Sequence, residues 1–226
     1  MLLKAFLACG AQHLFLVDPS RGQEKGVHYY EAATHDLLNA VHDPNRDSVL
    51  CTTVALVLSA YELMNPQCPQ SSSSGNHIAG SRALIRECGW TAKTPGLGGA
   101  CFWISVSMEL LSCLQHNWSL SWNPDTWGVD MNMDQVQPFW KGEDQWLHRI
   151  IYICAKVANF RVSVQHRLSS NDPSSRSAQL DEAVQEWNHY SAWCEQWITS
   201  IPRSMKPLSH MQPWQADSKS VFPSIW

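Results

Sequence analysis

Apolar residues return every three to four positions along most of this 226-residue chain, and almost nowhere in strict alternation. That period gathers them on one face of an α-helix; it does not suit one side of a strand. Leu3, Phe6, Leu7, Leu14 and Val17 mark the core face of a first helix, which Asp18-Pro19-Ser20-Arg21-Gly22 ends. Val27, Tyr30, Thr34, Leu37, Leu38 and Val41 mark a second, which stops at His42-Asp43-Pro44-Asn45. Asp47 stands as the N-cap of a third, whose stripe is Leu50, Val54, Val57, Tyr61 and Met64. A fourth covers 77–88 and ends at Gly89, a natural left-handed cap. Gly96-Leu97-Gly98-Gly99 leads into a fifth over 100–114, apolar nearly all round and so predicted to be buried on every side. Beyond an irregular stretch over 117–144, Trp146, Ile150, Ile153, Val157, Phe160 and Val164 mark a sixth. After a polar break over 169–177, Leu180, Val184, Trp187, Trp197 and Ile201 mark a seventh. The pattern predicts an all-α fold of antiparallel helix pairs packed into an irregular α-helical bundle. Residues 1–226 read as a single domain with a flexible loop over 65–76, where Pro66, Pro69 and four consecutive serines fall.

Composition removes several functional classes. Hydrophobic residues at 44% supply a large core and exclude general disorder. The 16 Lys and Arg against 20 Asp and Glu leave −4, with no two basic residues adjacent, so no stretch concentrates the charge that nucleic-acid binding needs. The cysteines lie at 9, 51, 68, 88, 101, 113, 154 and 194, the closest two being 12 positions apart. That spacing holds no zinc finger, zinc ribbon or thioredoxin-like clip. Cys51, Cys101, Cys113 and Cys154 fall in apolar periodic stretches, as reduced core cysteines of an intracellular protein do. The apolar run from Ala5 to Ala11 loosely resembles a secretory signal, but Gln12 and His13 interrupt it and the helical stripe continues to Val17. No stretch is read as the ~18–20 apolar residues of a membrane span.

Four constellations invite a chemical reading. Glu24, His28, Glu31, His35 and His42 share roughly one face of the second helix, but histidines seven apart are ~10.5 Å apart along the axis, too far to share an ion. Glu62, Glu109 and Glu186 stand singly, without the second Glu-x-x-His of a di-iron bundle, so the face reads as solvated. Cys101 and Cys113 lie near His116 in sequence, but in the most apolar helix, where burial suppresses thiol reactivity. Gly96-Leu97-Gly98-Gly99 lacks the preceding strand and following lysine of a phosphate loop. Of the 12 tryptophans, Trp146, Trp187 and Trp197 read as core, and Trp118, Trp122, Trp127 and Trp140 as loop residues that close over helix ends or line a pocket. No catalytic, cofactor-binding, metal-binding or DNA-binding residue is assigned.

Several segments taken in order resemble one known family. They are Ala5 to Leu14, His28-Tyr29-Tyr30 with Ala33 to Leu38, and Asp47 to Glu62; then follow His77 to Ile85, Leu97 to Leu111 with Ala100-Cys101-Phe102-Trp103, Trp122 to Trp127, and Phe222 to Trp226. The series resembles the regulatory domain of fungal-specific transcription factors, which lies downstream of a binuclear zinc cluster. The resemblance implies an all-α domain in a nuclear transcriptional regulator, working through protein contacts or a small effector, without catalysis and without a cofactor. Its partners would be proteins of the transcription machinery or a self-association partner, with no direct nucleic acid and no membrane. The six-cysteine cluster has no counterpart in these cysteine spacings, and the family pattern leads one to expect further helices, so the chain reads as truncated at its C-terminus. Two other readings stand beside this one: a helical interaction scaffold unrelated to transcription, and an α-helical metalloenzyme using His28, Glu31 and His35.

Overall fold

A computed structural model describes residues 1–65, 74–133, 142–168, 173–206, 209–210 and 224–225. Seven long helices appear among them: α1 (Leu2–Val17), α2 (Glu24–Val41), α3 (Ser48–Met64), α4 (Ser74–Glu87), α5 (Gly96–His116), α6 (Gly142–Leu168) and α7 (Pro173–Ser200). The fold is all-α; Ser209–His210 and Ser224–Ile225 form only a two-residue antiparallel pairing. The expected loop over 65–76 lies, from 66 to 73, outside the described residues. The chain forms two compact units, Met1–Gly128 and Val129–Trp226.

In the first unit α3 packs against α1, α2, α4 and α5, and α1 packs against α2. Its start is set as the sequence predicts, by Asp47, whose carboxylate accepts from Leu50 N at 3.0 Å. Because α3 touches four helices it is buried nearly all round, from Cys51 and Thr52 through Leu58 and Ser59 to Tyr61 and Glu62. Two of its buried hydroxyls are satisfied inside the helix: Thr52 donates to Ser48 O and Ser59 to Ala55 O. The helix predicted to be enclosed, α5, instead keeps Leu97, Ile104 and Leu111 in solvent. It is long and apolar enough to cross a membrane, yet half of its most apolar stretch is buried inside this unit, as in the core helix of a globular unit.

Two helix faces also differ from the periodic reading. In α1 the buried residues are Ala5, Ala8 and Gln12, whereas Leu3, Phe6, Leu7, Leu14 and Val17 are exposed. In α2 the predicted stripe holds at Leu37, with Tyr30 and Val41 packed against the same core, but Gly26 and Ala33 are inward as well and Val27 and Leu38 are turned out. Small side chains let the helix backbones approach closely, and that contact outweighs the burial of larger residues. A Cβ built on Gly26 would lie 3.4 Å from Gln12 N and 3.5 Å from the Tyr61 ring. Lys4 and the chain's amino group both meet Asp36, at 2.8 and 3.3 Å, and the Lys4 hydrogen bond holds that carboxyl below its ordinary range.

Local geometry also explains the glycines in the first turn of α5, which the sequence places ahead of the helix. A Cβ on Gly99 would stand 2.0 Å from the Thr94 carbonyl oxygen, and one on Gly98 3.0 Å from the Trp90 ring. The run therefore serves backbone packing. In the second unit α6 and α7 pair, with Trp146, Ile153 and Met133 at the core and Trp193, Trp197 and Ile201 packed against them. Trp146 is buried and Trp197 donates to Trp146 O at 2.8 Å, but Trp187, predicted as core, is 53% exposed.

Gly99→Ala is expected to lower stability by about 1–3 kcal/mol, because the Thr94 backbone must shift. Gly80→Ala, on an open surface of α4, is expected to raise it by about 0.5–1 kcal/mol. Urea unfolding of the two variants checks both signs.

Candidate functional site

The polar side chains that the first unit draws inward are not those the sequence singles out. Glu62, near the end of α3, is 4% exposed as a residue. Its Oε1 accepts from Tyr30 of α2 and from Nδ1 of His77 of α4, both at 2.6 Å. Tyr30 stacks on Tyr61 with ring centroids 4.6 Å apart, and meets the His77 ring edge-on. The other carboxylate oxygen of Glu62 is buried with no hydrogen-bond partner among the described residues. Burial of a carboxylate is unfavourable unless it is paired and hydrogen-bonded, so α2, α3 and α4 are joined at this point. Beside it Gln12, fully buried on α1, donates to Met64 O, and Gln23 donates to Asn65.

A second buried carboxylate ties the loop after α5 to its helices. Glu109 Oε1 accepts from Arg82 at 3.0 Å and from Ser121 N at 2.8 Å. Arg82 also donates to Ser121 Oγ, and Arg86 donates to Ser121 O while lying over the Trp122 ring. Asn117 takes the left-handed conformation that ends α5, φ 57°. From there the loop folds back, so that Trp122 and Trp127 meet Phe102, and Trp127 also meets Trp103 at 5.4 Å. These two tryptophans close over the helix. Trp118 is exposed and stacks on His116, and Trp140 lies outside the described residues.

The second-helix constellation is dispersed on the surface. Glu24, His28, Glu31, His35 and His42 are all exposed. His35 pairs with Asn39, and His42 donates from Nδ1 to Leu38 O at 2.7 Å. Among the described residues no three His, Cys, Asp or Glu side chains gather as a metal site requires. Cys51, Cys101 and Cys113 are buried, and Cys154 is half-buried. Burial, reinforced by Glu109, pushes the Cys113 thiol up to about 11, and burial raises Cys101 as well. A nucleophilic thiol requires the opposite shift.

The sequence signal for the observed clusters is thin. Glu62 and Glu109 are the lone acids within apolar helices, and a lone acid in such a place needs a partner from another element. Nothing in the spacing identifies His77 or Arg82 as that partner. A family model described as a fungal specific transcription factor domain matches residues 1–211. No curated protein and no solved structure matches the chain significantly.

Glu62→Ala is expected to lower stability by about 3–5 kcal/mol, since Tyr30 and His77 lose their shared acceptor inside the core. Glu62→Gln keeps an acceptor for Tyr30 and is expected to lose less. Thermal unfolding followed by circular dichroism distinguishes the two, and equal losses would contradict a hydrogen-bonded role for the carboxylate.

Proposed function

This chain belongs to the fungal-specific transcription factor domain family, and from that premise we propose that it is the regulatory, non-DNA-binding part of a fungal transcription factor, acting in the nucleus through protein contacts. Family membership supports the transcriptional role. The observation that favours protein contact over effector sensing is the exposed apolar row on α5. Leu97, Ile104 and Leu111 stand seven residues apart on one side of the helix, exposed at 56%, 46% and 59%. A seven-residue spacing keeps a row on one face, as a docking helix reads it. In the second unit Leu180, Val184 and Trp187 form a similar exposed row on α7. Apolar patches of this kind on a charge-poor surface are typical of interaction sites.

No catalytic role goes with this reading. The buried carboxylates of Glu62 and Glu109 are engaged in holding helices and a loop together, and the Cys113 thiol beside Glu109 is raised. The scaffold reading shares the helical surface but lacks a link to transcription, so a transcriptional readout separates the two.

Fused to a DNA-binding domain from another protein, the chain is expected to change transcription of a reporter carrying that domain's sites. Ile104→Glu with Leu111→Glu is expected to reduce the effect roughly tenfold, because each removes an exposed apolar anchor without touching the core. A reporter level equal to that of the DNA-binding domain alone would sink the proposal. Full retention of the effect in the double variant, or its appearance only on adding a small molecule, would favour effector sensing.

A further inference from the structure

We propose that the outer face of α1 is the contact surface for a second copy of this chain, the two helices crossing antiparallel at Gly10. The proposal is independent of the transcriptional reading. Leu3, Phe6, Leu7, Leu14 and Val17 are exposed at 71%, 55%, 41%, 48% and 71%, and all lie on the side of α1 away from α2 and α3. Gly10, also exposed, has nothing within 4 Å of a built Cβ.

The row is close to symmetric about that glycine. Leu3 and Val17 lie seven residues before and after it and Phe6 and Leu14 four before and four after, while Leu7, three before, is mirrored by the exposed His13 three after. In a two-fold contact residue i meets residue j and j meets i, so an apolar row must read nearly alike in both directions. A glycine at the crossing point lets two helix backbones approach, with the larger side chains interlocking on either side. An antiparallel pair centred there sets Leu3 against the partner's Val17, and Phe6 and Leu7 against the partner's Leu14.

Charge and area agree with a like partner. Besides the exposed His13, the only ionic side chain of α1 is Lys4, which is occupied by Asp36, so the face carries no run of like charge against its own copy. The exposed parts of these side chains amount to roughly 500 Å² of apolar surface, at the upper end for a monomer's largest patch. That is most of the ~800 Å² per partner of a standard interface.

Sedimentation of the full chain over a range of concentrations tests the assignment. Wild type is expected to reach a dimer plateau, and Leu14→Glu to weaken dimerisation at least ~10-fold with its helicity unchanged. In a Cys9→Ser background, Gly10→Cys is expected to give a disulfide-linked dimer on oxidation, and His35→Cys on exposed α2 is not. A chain monomeric at ~100 μM overturns the proposal. Assembly past two copies does so too, because it assigns α1 to another surface of the next copy, such as the row on α5. Dimerisation that Leu14→Glu leaves intact, with no Gly10→Cys crosslink, places the contact elsewhere and rejects this face.

Discussion

Helix α3 has to satisfy four neighbours at once, and the rest of the first unit is arranged around that demand. A helix enclosed on every side has no solvent face on which to place polar groups, so each one it carries must find a partner inside the protein. Thr52 and Ser59 turn back to their own helix, whereas Glu62 reaches Tyr30 on one neighbour and His77 on another. The carboxylate thereby specifies which residues of α2 and α4 lie opposite its own turn. Apolar contacts alone leave such registers less tightly defined, since hydrophobic attraction has no direction.

The same solution recurs wherever an irregular segment must stay on a helix. Glu109 accepts the backbone N–H of Ser121, and Arg82 and Arg86 close the same turn from α4. Trp122 and Trp127 are thereby held against Phe102. In the second unit the sign is reversed: Arg149, 1% exposed, donates to Asp130 O at 2.7 Å and Asn132 O at 2.6 Å, with its guanidinium over the Trp146 ring. A buried charge with several directional bonds can hold a stretch of chain whose backbone groups have no helical partners. The loops that carry Trp122 and Trp127 and that precede Trp146 are held by these contacts.

Periodicity in the sequence reveals that a segment is helical more readily than it reveals which face is buried. Apolar spacing, the Asp47 cap and the Gly89 terminator locate the seven described helices, but α7 begins at Pro173, inside the stretch expected to be a polar break over 169–177, and α5 begins at Gly96, within the glycines expected to precede it. The inward face follows the large apolar residues in α3 and α6, as Val54, Tyr61, Trp146 and Ile153 show, but in α1 and part of α2 the structure buries small residues instead. Ala5, Ala8, Gly26 and Ala33 bring α1 and α2 close to their neighbours, and the leucines at intervening positions are left outside. For α5 the failure has another source: three of its apolar residues recur every seven, so a row remained uncovered although the helix as a whole is apolar. The buried clusters were legible only by half. Glu62 and Glu109 are conspicuous as isolated acids, but their partners are 15 and 27 residues away, respectively, and only the fold brings them together.

The division between small inward and large outward side chains bears directly on what such a chain does. Were α1 selected only for the stability of its own unit, its exposed positions would be expected to carry Lys, Glu or Gln, which favour a helix and keep it soluble. Leu3, Phe6, Leu7, Leu14 and Val17 instead form an apolar face interrupted only by His13 and Gly10, on a helix whose buried positions are Ala5, Ala8 and Gln12. Large exposed apolar surface favours association, and a protein retains it where association is useful. On α5 and α7, as on α1, the outward rows add nothing to the interior that Tyr61, Trp127 or Trp146 already fill. The proposal of a contact-mediated role draws on that separation: the core is built of small, aliphatic and aromatic residues, and among the described residues the outward rows are left open to solvent.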